Sequence, residues 1–193
     1  INAFNLMDGS DGITGSLVVI VLVGINAFQI FLGDHNINLL SVALFGSLIP
    51  YLWFNLKKSP KSKIFLGDSG SLFLGYSIAF LLLYETQSSK TISPTFSLWL
   101  ISVPIFDVVS VIFLRLKNSQ SLFSPDRNHL HYYLQRLGFL NLKIVLIIIM
   151  IGAFFLLIGF VMEYKFQFLS FLIFIFSFSL YLWFRVFSRY SKI

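Results

Sequence analysis

Six apolar stretches of about 20 residues follow one another along the chain, near 13–32, 37–54, 71–87, 94–115, 144–163 and 167–187. As an α-helix, a stretch of that length spans a hydrocarbon layer about 30 Å thick. Inside such a layer every backbone N–H and C=O must be bonded internally. The sequence therefore predicts an all-α polytopic integral membrane protein of about six transmembrane helices, with residues 1–193 as a single transmembrane domain. The side chains agree: 57% are hydrophobic and only 11% charged, against about 25% charged in a soluble domain. The absence of cysteine excludes a disulfide framework, a thiolate metal site and a thiol nucleophile.

The charges sort by connection. Lys57, Lys58, Lys61 and Lys63 lie in residues 55–70. Arg115, Lys117, Arg127, Arg136 and Lys143 flank or occupy 116–143, and Arg185, Arg189 and Lys192 end the chain. The alternate connections hold only Lys90 and Lys165. Under the positive-inside rule this bias makes the basic loops, the first twelve residues and the C-terminus cytoplasmic. It also explains the net charge of +6 as membrane orientation, not nucleic-acid binding. Asp34, Glu85 and Glu163 then fall on the outer face, where no cluster is expected. Asp8, Asp11, Asp68 and Asp126 share the inner face with His129 and His131. Trp53, Tyr84, Trp99, Tyr164 and Trp183 read as interfacial aromatics.

Three polar motifs interrupt this apolar chain. The first, Ile1 to Gly12, holds Asn2, Asn5, Asp8 and Asp11, with a glycine after each aspartate. The all-oxygen set suits a hard cation such as Mg²⁺, while the Asp-Gly pairs also suit a turn before the next helix. The second, Ile64 to Leu72, places Asp68 and Ser71 beside an expected helix start. There the free N–H groups and the helix dipole favour an anion, or Asp or Ser simply caps the helix. The third, Ser124 to Tyr133, joins Arg127 to His129 and His131. It fits a phosphorylated ligand, a transition metal or a basic stretch lying on anionic headgroups. Asp107, inside the fourth span, calls for a buried partner or a site, or for a structural hydrogen bond between helices.

Taken in order, NAFNLMDGSDGITG, IFLGDSGSLFLGY, PIFDVVSVIFLRL and SPDRNHLHYYLQRLGF resemble the bacterial polyprenyl-phosphate N-acetylhexosamine-1-phosphate transferases. The resemblance is nearest to the enzymes that transfer GlcNAc-1-phosphate. It implies transfer of a sugar-1-phosphate from a UDP-N-acetylhexosamine to undecaprenyl phosphate at the bacterial cytoplasmic membrane, with release of UMP. It implies Mg²⁺ as cofactor, with Mn²⁺ as an alternative, and no nucleic-acid partner; a homodimer is left open. By the same resemblance Asp8 and Asp68 are catalytic, and Asp68 is a metal ligand assisted by Asn5. Phe65 stacks on the uracil and Asp11 hydrogen-bonds it. Ser71 lies at the substrate, and Arg127, His129 and His131 hold the diphosphate or the sugar.

Two departures accompany the match. Tyr132 stands where the family usually has a third histidine, and no two acidic residues are adjacent, so the family's Asp-Asp motif is absent. The chain accordingly looks like the C-terminal part of such an enzyme and, taken alone, is expected not to catalyse transfer. The competing expectations are an inactive remnant and a half-transporter. A transporter is expected to carry polar residues along a path through several spans and on both faces.

Overall fold

The computed structural model describes residues 1–33, 38–57, 59–121, 128–163 and 166–190. These residues contain helices and turns and no strand. The helices are α1 (Asn2–Met7), α2 (Ile13–Phe31), α3 (Leu39–Asn55), α4 (Gly67–Leu83), α5 (Pro94–Leu100), α6 (Ser102–Lys117), α7 (Leu130–Arg136), α8 (Asn141–Glu163) and α9 (Gln167–Tyr190). A 3₁₀ turn, Pro60–Ser62, precedes α4, and a π-helical turn, Tyr84–Ser88, continues it.

Among the described residues three helices are long and apolar enough to cross a membrane: Ile13–Phe31, Asn141–Glu163 and Gln167–Phe187. The expected fourth span, 94–115, is two helices bent by 77°, and it makes a further crossing if the pair is one span. The cause of the bend is Pro104, in the first turn of α6. Without an N–H, Pro104 cannot donate to the carbonyl four residues back, that of Leu100, which a continuous helix would require. The remaining two expected spans are shorter helices. α3 has 17 residues and contains Pro50; α4 also has 17 and begins at Gly67 instead of Ser71.

α2 and α8 form the centre of the packing. Ile13, Leu22 and Ile25 of α2 and Ile144 and Ile148 of α8 are fully buried. Because lipid is as apolar as leucine, such helices are held by close packing and by polar contacts across the interface. Ser41 of α3 donates to Asn26 Oδ1 of α2 at 2.8 Å, and Trp99 Nε1 donates to Ser170 Oγ of α9 at 2.9 Å. Trp99 is thus a fully buried core residue, not the interfacial aromatic expected from its place near a span end. Trp53 and Trp183, in contrast, are exposed.

The polar residues gather at both ends of the bundle. One end collects the start of α2, the end of α3 and the starts of α4, α7 and α8. The opposite end was expected to hold isolated acids and instead holds a buried network. Glu85 Oε2 accepts from Gln29 Nε2 (2.9 Å), Ser89 Oγ (2.7 Å) and Thr91 Oγ1 (2.6 Å). Glu163 accepts from the backbone N and hydroxyl of Ser93, each at 2.5 Å. A carboxylate removed from water needs donors, and here the loop between α4 and α5 supplies most of them.

Candidate active site

The first motif folds as α1 followed by a loop, residues 8–12, that enters α2. Gly12 closes the loop at φ +82°, a left-handed conformation that disfavours other residues. No side chain caps α2, so the aspartates are not spent on the helix end. α1 lies against α4, where Ser71 Oγ donates to Asn5 Oδ1 at 2.7 Å. That bond ties the first motif to the second. The second motif also differs from expectation, because α4 begins one residue before Asp68 and no side chain caps it. Asp68 therefore sits exposed in the first turn, where the helix dipole favours its charge. Ser71 is buried one turn further in.

Asp8, Gly9, Ser10, Asp11, Tyr51, Asn55, Phe65 and Leu66 line a pocket of about 140 Å³. Its electrostatics are uneven. Burial pushes the Asp8 carboxyl up to about 6; the negative charges of Asp68 and Asp11 add to the rise, and the Thr14 hydroxyl works against it. Asp11 is ion-paired with Lys63. Phe65 is 68% exposed, with its ring at the pocket wall.

The third motif reaches the same loop. His131 is fully buried, and neither ring nitrogen has a hydrogen-bond partner. A Cβ on Gly9 would lie 2.5 Å from its Nε2 and 3.2 Å from the Tyr132 hydroxyl, so only glycine leaves room for this approach. Burial pulls His131 down to about 4. The charge of Asp107 opposes that shift, while His129 and Arg185 reinforce it. The ring of His129 stacks parallel to that of His131, with centroids 6.0 Å apart. His129 itself is held by Asp107, its Nδ1 2.8 Å from Oδ2. Arg127 lies outside the described residues.

The structure thus joins Asn5 to Ser71, gathers Asp8, Asp11 and Phe65 around one pocket with Asp68 close enough to raise Asp8, and sets His131 against the loop. Several contributors escaped the sequence reading. Lys63 was counted only as a topological charge; its position two residues before Phe65 was the available signal. Asn55, a polar residue closing an apolar helix, is buried, donates to the Ile64 carbonyl at 2.7 Å and leaves its Oδ1 unpartnered. Asn141, the first residue of α8, accepts from Ser10 Oγ at 2.5 Å and donates to the Asp11 carbonyl at 3.3 Å. No local sequence pattern marked it.

The donor chemistry fits a hard cation. The side chains at this end of the first two motifs offer oxygen only, and a divalent charge would offset the burial, and the smaller repulsion from Asp68 and Asp11, that raise Asp8. Among the described residues no three His, Cys, Asp or Glu side chains converge on one point. The fit is therefore to an ion held by one or two carboxylates together with substrate phosphates, the usual state of Mg²⁺. Asn5 already accepts the Ser71 hydroxyl on its Oδ1, which makes it a support for α4 first.

Residues 1–86 match the family model for Glycosyl transferase family 4. The undecaprenyl-phosphate alpha-N-acetylglucosaminyl 1-phosphate transferase of Escherichia coli strain K12 is 36% identical over 168 residues, covering 86% of this chain and 46% of the relative. The Yersinia pestis protein of the same name is 33% identical over 165 residues, 84% of this chain and 45% of the relative. The probable undecaprenyl-phosphate N-acetylglucosaminyl 1-phosphate transferase of Bacillus subtilis strain 168 is 38% identical over 176 residues, 90% and 48%. The chain spans about half the length of the curated relatives it matches. No solved structure matches it. The resemblance carried by the motifs is borne out.

Proposed function

We propose that this chain, related to glycosyl transferase family 4 through its first 86 residues, forms the nucleotide-sugar side of an enzyme that moves GlcNAc-1-phosphate from UDP-GlcNAc to undecaprenyl phosphate. The observation that carries the reading is the single pocket shared by Asp8, Asp11 and Phe65, with His131 packed against its floor at Gly9. Separate stretches of sequence meet there, and a nucleoside diphosphate needs each kind of group. Phe65 offers a flat face to the uracil, and the Asp11 carboxylate offers an acceptor to its N3–H. Lys63, now paired with Asp11, is a cation within reach of the phosphates.

In the reaction a phosphate oxygen of the lipid attacks the phosphorus bonded to the sugar. The bond from that phosphorus to the bridging oxygen breaks, and UMP leaves with that oxygen and the electron pair. The products are a lipid diphosphosugar and UMP. Such a step needs positioning and charge stabilisation above all. Asp68, with Asp8 beside it, would hold Mg²⁺, which supplies charge neutralisation on the diphosphate. The polar end carrying the pocket is the cytoplasmic one, because the connections rich in Lys and Arg emerge there.

The test measures UMP release by the full-length gene product in nanodiscs, supplied with Mg²⁺, UDP-GlcNAc and undecaprenyl phosphate. Release is expected only with all three present. Asp68→Asn is expected to lower it by a factor of about 10² or more while the protein stays folded. Near-normal turnover of that variant at limiting Mg²⁺ would remove Asp68 from the metal site. No UMP from the unaltered protein would end the transferase reading.

A further inference from the structure

Asp107 has no exposed surface, yet both of its carboxylate oxygens are engaged. One carboxylate oxygen, Oδ2, lies 2.8 Å from His129 Nδ1. The other, Oδ1, accepts from the backbone N–H of Leu130 at 2.7 Å and from the Tyr181 hydroxyl at 3.3 Å. Arg185 Nη1 stands 3.8 Å from the same oxygen, and another guanidinium nitrogen donates to the Asn128 carbonyl. Groups from the start of α7 and from α9 therefore converge on one carboxylate of α6. Among the described residues, Asp107 and His131 face His129, and Tyr181 and Arg185 stand on the far oxygen of Asp107.

We infer that Asp107 is the positioning residue of the histidine pair, setting both where α7 begins and which nitrogen of His129 carries a proton. The first half follows from the backbone. Leu130 is the first residue of α7, and His129 before it makes no side-chain cap bond. An unbonded amide at a buried helix start is costly, and Asp107 removes that cost from a different helix. Fixing Leu130 fixes His131 next to it, and with it the approach to Gly9. The second half follows from donor chemistry. A carboxylate only accepts, so His129 must present Nδ1–H to it. Nε2 is then left as a bare acceptor, able to take a hydrogen bond or a proton from a substrate hydroxyl.

The inference rests on the transferase reading only for its kinetic consequence. Asp107→Asn keeps the size and can still accept from Leu130 through its oxygen. It then turns an NH₂ group toward His129, which makes Nδ1 an acceptor and moves the proton to Nε2. The tautomer is read by ¹⁵N NMR on the histidine-labelled full-length protein at pH 8.5. Nδ1 is expected to be protonated in the unaltered protein and bare in the variant. Tyr181→Phe removes a bond from the other oxygen only and is expected to leave the tautomer unchanged. In UMP release, Asp107→Asn is expected to lower kcat by about 10²- to 10⁴-fold, the size of effect that a misplaced tautomer has in a hydrolase triad, with KM for UDP-GlcNAc little changed.

A bare Nδ1 in the unaltered protein overturns the inference and needs no variant that folds. So does an inverted tautomer with unaltered kcat, or a loss of kcat without inversion. The spectrum stands whether or not UMP is released, so failure of the transferase reading is distinguishable from failure of this one.

Discussion

His131 and Asp8 should give the protein two opposing responses to acid. Burial holds the His131 imidazole at about 4 instead of its ordinary 6.5. Between those values the unfolded chain binds a proton that the folded chain does not. The contribution is therefore complete above pH 6.5 and is lost as pH falls through 4. It amounts to about 3 kcal/mol at about 1.4 kcal/mol per pH unit. Asp8 runs the other way, because its carboxyl is raised from 3.8 to about 6. Its contribution is complete below pH 3.8 and is lost as pH rises through 6. Being half-buried, it is screened to about 1–2 kcal/mol. The unaltered protein should thus lose only about 1–2 kcal/mol between pH 6.5 and 4 from this pair, the difference of the two. His131→Asn removes the larger contribution and leaves Asp8, so over the same range the variant should gain stability relative to the parent by about 2–3 kcal/mol. Denaturant unfolding in metal-free detergent buffer, followed by tryptophan fluorescence at several pH values, measures this. Other titrating groups occur in both proteins and cancel in the difference. Parallel curves for parent and variant would refute the assignment of a neutral, buried His131.

The chain has no native cysteine, so single cysteines report its topology: at Lys61 and Asn118, both exposed, they should resist membrane-impermeant thiol reagents in intact cells, while one at exposed Ser88 should react. The reverse pattern would move the pocket to the outer face. Gly9→Ala places a methyl group 2.5 Å from His131 Nε2 and should cost about 1–3 kcal/mol of stability by overpacking, together with a loss of UMP release. An unchanged melting point and rate would show that the approach of His131 to the loop is dispensable.

What could be read from the sequence was local, and what escaped it was a matter of partners. The polar side chains of residues 1–12, which need a reason in so apolar a chain, pointed to a loop whose aspartates line the pocket, although the amides beside them do not. The Gly-Asp-Ser-Gly run marked the start of α4, though it did not tell that Asp68 would lie inside the first turn and not at the cap. Asp107 was read as needing a partner, but its partners lie 22 to 74 residues away, beyond the reach of periodicity. Arg185 looked like one more orienting charge at a helix end; its burial at 4% exposure shows a second use that a count of loop charges cannot express. Glu85 was read as an outer-face acid with no cluster around it, because its bond to Gln29 joins residues 56 apart in the chain. The broken fourth span was legible in principle, since Pro104 stood in the sequence, but apolarity outweighed it in the span assignment.

α4 is pinned at both ends. Near the pocket, Ser71 is bonded to Asn5. At the far end the π-helical turn presents Glu85 to Gln29, Ser89 and Thr91. Sliding this rod by even one residue, about 1.5 Å, would break both attachments at once, so α4 behaves as a strut and not as a piston. Any adjustment that admits and releases a ligand then falls to the connection between α3 and α4. That connection carries Lys63 and Phe65, and it is held by the bond from Asn55 to the Ile64 carbonyl and by the exchangeable ion pair of Lys63 with Asp11. Asp68, at the head of the strut, stays in place while the groups beside it exchange partners.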